Sequence, residues 1–184
     1  MTRKESAVLL SGILGFALPT YFAWTVYQDK IPQNIATWFM IFILDFLGLI
    51  LVYKAGNKKP YIQLGWALAS VCILLAITLG KSPWHWGWTE NVSFALCGIA
   101  ILLWLTLNAR IAILAYLVAM FASAVPLMAD YWKEPQLQTL WLWLSTVGTC
   151  LLAIYGADKR DFTNTVIPWA ALVLNAMIAV LCLR

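Results

Sequence analysis

The sequence predicts an all-α integral membrane protein with seven transmembrane helices in a 3+1+3 parallel-repeat arrangement. Three observations predict it. Of the 184 residues, 63% are hydrophobic and 11% charged, too apolar a balance for a soluble domain. The charges fall in short clusters separated by apolar runs of about 20 residues, the length a helix needs to cross a hydrocarbon core. One motif also occurs twice: residues 31–38 read IPQNIATW and residues 134–141 read EPQLQTLW.

In that motif Pro32, Gln33 and Trp38 meet Pro135, Gln136 and Trp141 at a constant separation of 103 residues. The same separation joins Trp66-Ala67 to Trp169-Ala170 one helix later. Upstream of each copy a proline interrupts an apolar run, Pro19 in GFALPTYFAW and Pro126 in ASAVPLMADYW. These matches predict an internal duplication.

The spans follow in order as 7–27, 35–53, 61–79, 91–107, 111–128, 137–155 and 166–183. Each is helical because lipid offers no partner to a free backbone amide. The first follows Arg3 and Lys4 and runs on past Pro19 without a convincing cleavage site, so it reads as a span rather than a signal peptide. The second carries Asp45 near its middle, and the sixth has Gly148 at the matching position. The seventh carries Asn175, where the third has Cys72. Residues 1–80 form a first three-helix repeat, 81–109 an outer loop and linker helix, and 110–184 the second repeat. Three is odd, so the fourth helix is needed to turn the second repeat parallel to the first.

Orientation follows from the loops. Arg3, Lys4, Lys54, Lys58, Lys59, Arg110, Lys159 and Arg160 share one side, against Lys30, Lys81, Lys133 and Arg184 on the other. The excess places the N-terminus in the cytoplasm and the C-terminus outside, in a bacterial inner (plasma) membrane. The net charge of +4 comes without a long basic run, so nucleic acid is not an expected partner. Cys72, Cys97, Cys150 and Cys182 all lie inside apolar runs and read as small buried hydrophobes.

The 3+1+3 plan, with a proline in the first helix of each repeat, resembles the PQ-loop superfamily, which includes the SWEET sugar carriers. The sequence is most similar to a group of bacterial seven-span proteins related to that superfamily. Pro19 and Pro126 occupy the place of the family's proline, although neither is followed by glutamine. The resemblance implies transport of a small solute by alternating access, with Pro19 and Pro126 as hinges. It also likens Asn175 to the substrate-contacting asparagine of the SWEET carriers.

Asp45 is the only acidic or basic residue at mid-span depth. A carboxylate there costs several kcal/mol unless it is protonated, paired or hydrated, which makes it a candidate for substrate binding or proton coupling. The same residue could instead bond a neighbouring helix as packing glue, and Asn175 has the same two readings. Trp38 and Trp141, and Trp66 and Trp169, read either as interfacial belts or as rings lining a central cavity. Trp84, Trp86 and Trp88 flank His85 and read as interfacial anchors. Pro19 and Pro126 remove an amide each and bend their helices, as hinges or as static kinks. Gly12, Gly15, Gly48 and Gly98 read as packing contacts.

No catalytic set, metal set or cofactor motif stands out, and an enzyme is not expected. The expected function is a membrane transporter for a small neutral or zwitterionic metabolite, proton-coupled if Asp45 titrates during the cycle. The rival is a non-transporting receptor or assembly subunit of a membrane complex. Expected partners are the lipid bilayer and a small-molecule solute, with a homo-oligomer or a membrane-protein partner left open.

Overall fold

In the computed structural model, residues 2–29, 33–157 and 162–184 are described. The first two residues of the repeated motif (Ile31, Pro32) and the loop charges Lys30, Asp158, Lys159, Arg160 and Asp161 lie outside them. The described residues form seven α-helices and one 3-10 turn, without a strand. The helices are α1 Arg3–Asp29, α2 Ile35–Lys54, α3 Tyr61–Leu79 and α4 Trp88–Thr106, then α5 Ala109–Lys133, α6 Leu140–Gly156 and α7 Phe162–Cys182. All seven are long and apolar enough to cross a membrane.

The helix starts are fixed locally. The Asn34 side chain accepts from Ala36 N at 3.0 Å and caps α2, and Asn108 does the same for α5 through Ile111 N. At α4 the Glu90 carboxylate reaches back to the Gly87 amide at 3.0 Å. Gly56, at φ 111°, turns the chain out of α2 in a backbone region that a side chain would strain. Pro19 and Pro126 sit inside continuous helices, and α5 runs to Lys133, well past the expected end at 128. One missing amide did not outweigh the remaining apolar surface that α5 buries.

Neighbour relations close the helices into a ring. α1 packs on α3, α3 on α2, α2 on α5, α5 on α7, α7 on α6, and α6 back on α1. α4 stands outside, against α5 and α2. The tightest seam is α1 with α3, where Gly65 lies on the Gly12 backbone and a Cβ at Gly12 would meet the Tyr61 carbonyl at 2.6 Å. A Cβ at Gly48 would likewise meet the Tyr116 hydroxyl, at 2.6 Å, across the α2–α5 seam. Gly98, expected as a packing contact, has open space where its Cβ would be. At one end of the ring Lys59 pairs with Glu5 at 2.8 Å, which also sets Lys59 firmly in its protonated form. At the other, the Asn34 side chain bonds both backbone groups of His85.

The two halves bury equivalent positions, but not in the register of the motif. Ala7 and Ala112, Phe22 and Leu127, Val26 and Tyr131, Leu44 and Thr149, Ile62 and Ile167, and Ile77 and Cys182 are all buried. Every one of these pairs is separated by 105 residues, not 103. For α2 and α6 the departure from the motif's register is visible at the second corner, where Leu137–Thr139 winds as a 3-10 turn before α6 begins at Leu140, whereas α2 begins at Ile35. Two residues on an α-helix rotate a side chain by about 200°, onto the opposite face.

Candidate functional site

That rotation decides which side chains share the centre of the ring. A cavity of about 130 Å³ lies there, lined by all six ring helices. Its walls pair Pro19 with Ala124, Trp38 with Trp143, Ile41 with Thr146 and Trp66 with Ala171. They also pair Ala69 with Leu174, Ser70 with Asn175 and Ile73 with Ile178, all in the 105-residue register. Of the residues singled out in the sequence, the cavity brings together Asp45, Asn175, Trp38, Trp66 and Pro19.

Three others lie elsewhere. Trp141, expected opposite Trp38, is turned onto α1, with its ring 5.4 Å from Tyr21 and 6.4 Å from Phe22. Trp169, expected opposite Trp66, is 51% exposed on the outside of α7. Both are corrections of the 103-residue register and have the 200° rotation as their reason. Pro126 faces a separate recess of about 710 Å³ at the His85 end, between α2, α4 and α5. The same shift corrects two pairings: Asn175 corresponds to Ser70 rather than Cys72, and Asp45 to Cys150 rather than Gly148.

Most polar groups in the cavity turn their hydrogens onto their own helix. Ser70 Oγ donates to Ala67 O at 3.0 Å, Ser123 Oγ to Met120 O at 2.9 Å, and Thr146 Oγ1 to Leu142 O at 2.8 Å. Asn175 Nδ2 donates to Ala171 O at 2.6 Å. What these hydroxyls leave toward the cavity is their oxygen lone pairs, and the uncommitted indole N–H groups on the wall add donors beside them. Trp38 Nε1 is committed to Gln33 Oε1 at 3.1 Å, while Trp66 Nε1 and Trp143 Nε1 are buried without a hydrogen-bond partner.

Asp45 shares the cavity wall with Ser70 of α3 and Tyr116 of α5. Ser70 has one hydroxyl proton and gives it to Ala67 O, so it offers the carboxyl a lone pair and not a hydrogen. Among the described residues, the cavity wall carries no basic side chain to balance the carboxylate.

Apolar clusters flank the cavity toward both ends. Toward the His85 end Phe22, Tyr131, Leu142 and Trp143 form one apolar cluster with Trp38. Toward the Lys59 end Ile62, Cys150, Ala153 and Ala171 form another, with Trp66 packed against it. Sequence reasoning missed Trp143, Ser70, Tyr116 and Thr146. Trp143 and Thr146 become visible only when the register is read from burial, and Ser70 and Tyr116 carry no signal of their own in an apolar run. The chain matches no family model, no curated protein and no solved structure.

Proposed function

We propose that the chain spans a membrane as two parallel three-helix units, α1–α3 and α5–α7 joined by α4, and carries a small solute between them by alternating access. The observation that carries this reading is the central cavity, walled by matched positions of both units and holding a single carboxyl at mid-depth. The ring order supports it, since exchanging α1 with α5, α2 with α6 and α3 with α7 leaves the sequence of neighbours around the ring unchanged. A site on that pseudo-axis opens to one side or the other when the units rock. At about 130 Å³ the site suits one compact molecule, being slightly smaller than a cavity of about 150 Å³ that holds benzene. The PQ-loop resemblance implies the same mode of action.

Flux through proteoliposomes tests the reading. Purified protein is reconstituted and offered a panel of small radiolabelled solutes, with Asp45→Asn as the comparison. Saturable uptake that Asp45→Asn abolishes is the expected result. No flux for any solute, together with a stoichiometric protein partner on purification, would replace the carrier by a non-transporting membrane module.

A further inference from the structure

We infer that the central cavity is a site for a compact organic ammonium ion, which exchanges there with the proton of Asp45. This rests on the carrier reading for its physiological meaning, and it replaces the neutral or zwitterionic solute expected from composition with a monocation. Charge is the first ground. The wall presents one carboxyl and no cationic side chain among the described residues, so the mostly apolar site is neutral only when Asp45 holds one proton or faces one positive charge. A second cation has no charged partner there, and an anion has the indole N–H groups but no cation to balance it.

Ring chemistry is the second ground. Trp38, Trp66, Trp143 and Tyr116 all line the same small volume as Asp45. Faces of aromatic rings attract a desolvated ammonium, tryptophan most strongly. A metal cation needs six or so oxygen ligands, and hydroxyls already committed to their own helices beside a single carboxyl do not supply them. The lone pairs that Ser70, Ser123 and Thr146 leave toward the cavity also suit a cation better than an anion.

The third ground lies outside the cavity. The recess at the His85 end carries Glu90, Asp130 and Glu134 against Lys133, an acidic excess that raises the local concentration of cations. Other titratable groups facing Asp45 do not compete for the role. α5 presents the Tyr116 phenol and α4 the Cys97 thiol beside it, while α3 presents the non-titrating Ser70. The exchange balances without a further reactant. The entering ammonium takes the place of the carboxylic proton, which leaves to solvent, and no covalent bond other than that O–H is broken.

Tetramethylammonium binding to the purified full-length protein in detergent tests this, read by calorimetry and by proton release in weak buffer. The expected result is saturable binding with close to one proton released per cation. Apparent affinity falls about tenfold for each pH unit on the acid side, where the proton must be displaced. Neopentyl alcohol, a neutral molecule of similar shape, is expected not to bind. Asp45→Asn is expected to lose both binding and proton release, and Trp38→Leu to lose about tenfold in affinity that Trp38→Phe largely restores.

Equal binding of the neutral isostere, sodium displacing the proton as well as tetramethylammonium does, or undiminished binding to Asp45→Asn would each overturn the proposal. Should Asp45→Asn fail to fold, the isostere comparison on the native protein decides alone. Ammonium binding without flux in proteoliposomes would sink the carrier and leave the site standing. Flux of neutral solutes without ammonium binding would do the reverse.

Discussion

Gly65 shows how little room a single residue leaves. Its Cβ position falls on the Gly12 carbonyl, so Gly65→Ala must push α1 away from α3. We expect a loss of about 1–3 kcal/mol and a lower midpoint in thermal unfolding, while Gly98→Ala, which meets nothing, stays at the native value. Glu90 is the second position where one side chain holds a junction. It is buried and accepts from Gly87 N, Thr89 Oγ1 and Thr37 Oγ1, tying the start of α4 to α2. Glu90→Ala strands the donors at Gly87 and Thr37 and is expected to cost about 1–3 kcal/mol, seen as a fall in melting temperature. At this scale Asp45 was legible, because a lone acid in an apolar run announces itself. Ser70, which shares the cavity wall with it, was not, since a serine costs a membrane helix little and so stands out from nothing.

Among the elements, α1 and α5 both continue through a proline, yet only the α1 proline touches the cavity. Pro19 leaves the Gly15 carbonyl without its helical amide, at the place where Trp66 packs against Gly15. Pro19→Ala restores that bond and is expected to raise the melting temperature while slowing solute flux. Pro126→Ala, facing the recess, is expected to leave flux nearer the native rate. Flux and melting measured on the same two variants separate a hinge from a static kink. The seven helices were legible from apolar length alone, with ends displaced by a few residues. The face each presents was not, because the Pro-Gln motif stays in register through the corner while the helix after it starts two residues late. A motif aligns sequence, whereas a 3-10 turn sets the angle at which the next helix begins.

For the molecule as a whole, the Lys59–Glu5 pair and the Asn34–His85 bonds mark opposite ends of the ring. The native cysteines are buried or partly buried, so reporter thiols at Asn57 and His85 read against a low background. In intact bacterial cells an impermeant maleimide is expected to label His85→Cys and to spare Asn57→Cys until the membrane is opened. The opposite pattern would invert the orientation drawn from the lysine and arginine distribution. The order in which the six helices close their ring could not be read from the chain, since every neighbour relation in it is made by apolar faces of similar composition. The shared 105-residue burial pattern is the only trace of that order, and it needs three dimensions to be recognised.

Asp45 and Cys150 occupy equivalent places in two otherwise matched halves, one facing the cavity and the other sealed in the cluster beside it. The asymmetry is one of charge alone: both halves supply rings and hydroxyls to the wall, and only the first supplies a carboxyl. A mutational scan would find two halves of similar tolerance, except that position 45 is strict in its chemistry where position 150 is strict only in its size. Moving the acid across, by pairing Asp45→Cys with Cys150→Asp, would ask whether the handedness of the grip is chosen or merely inherited.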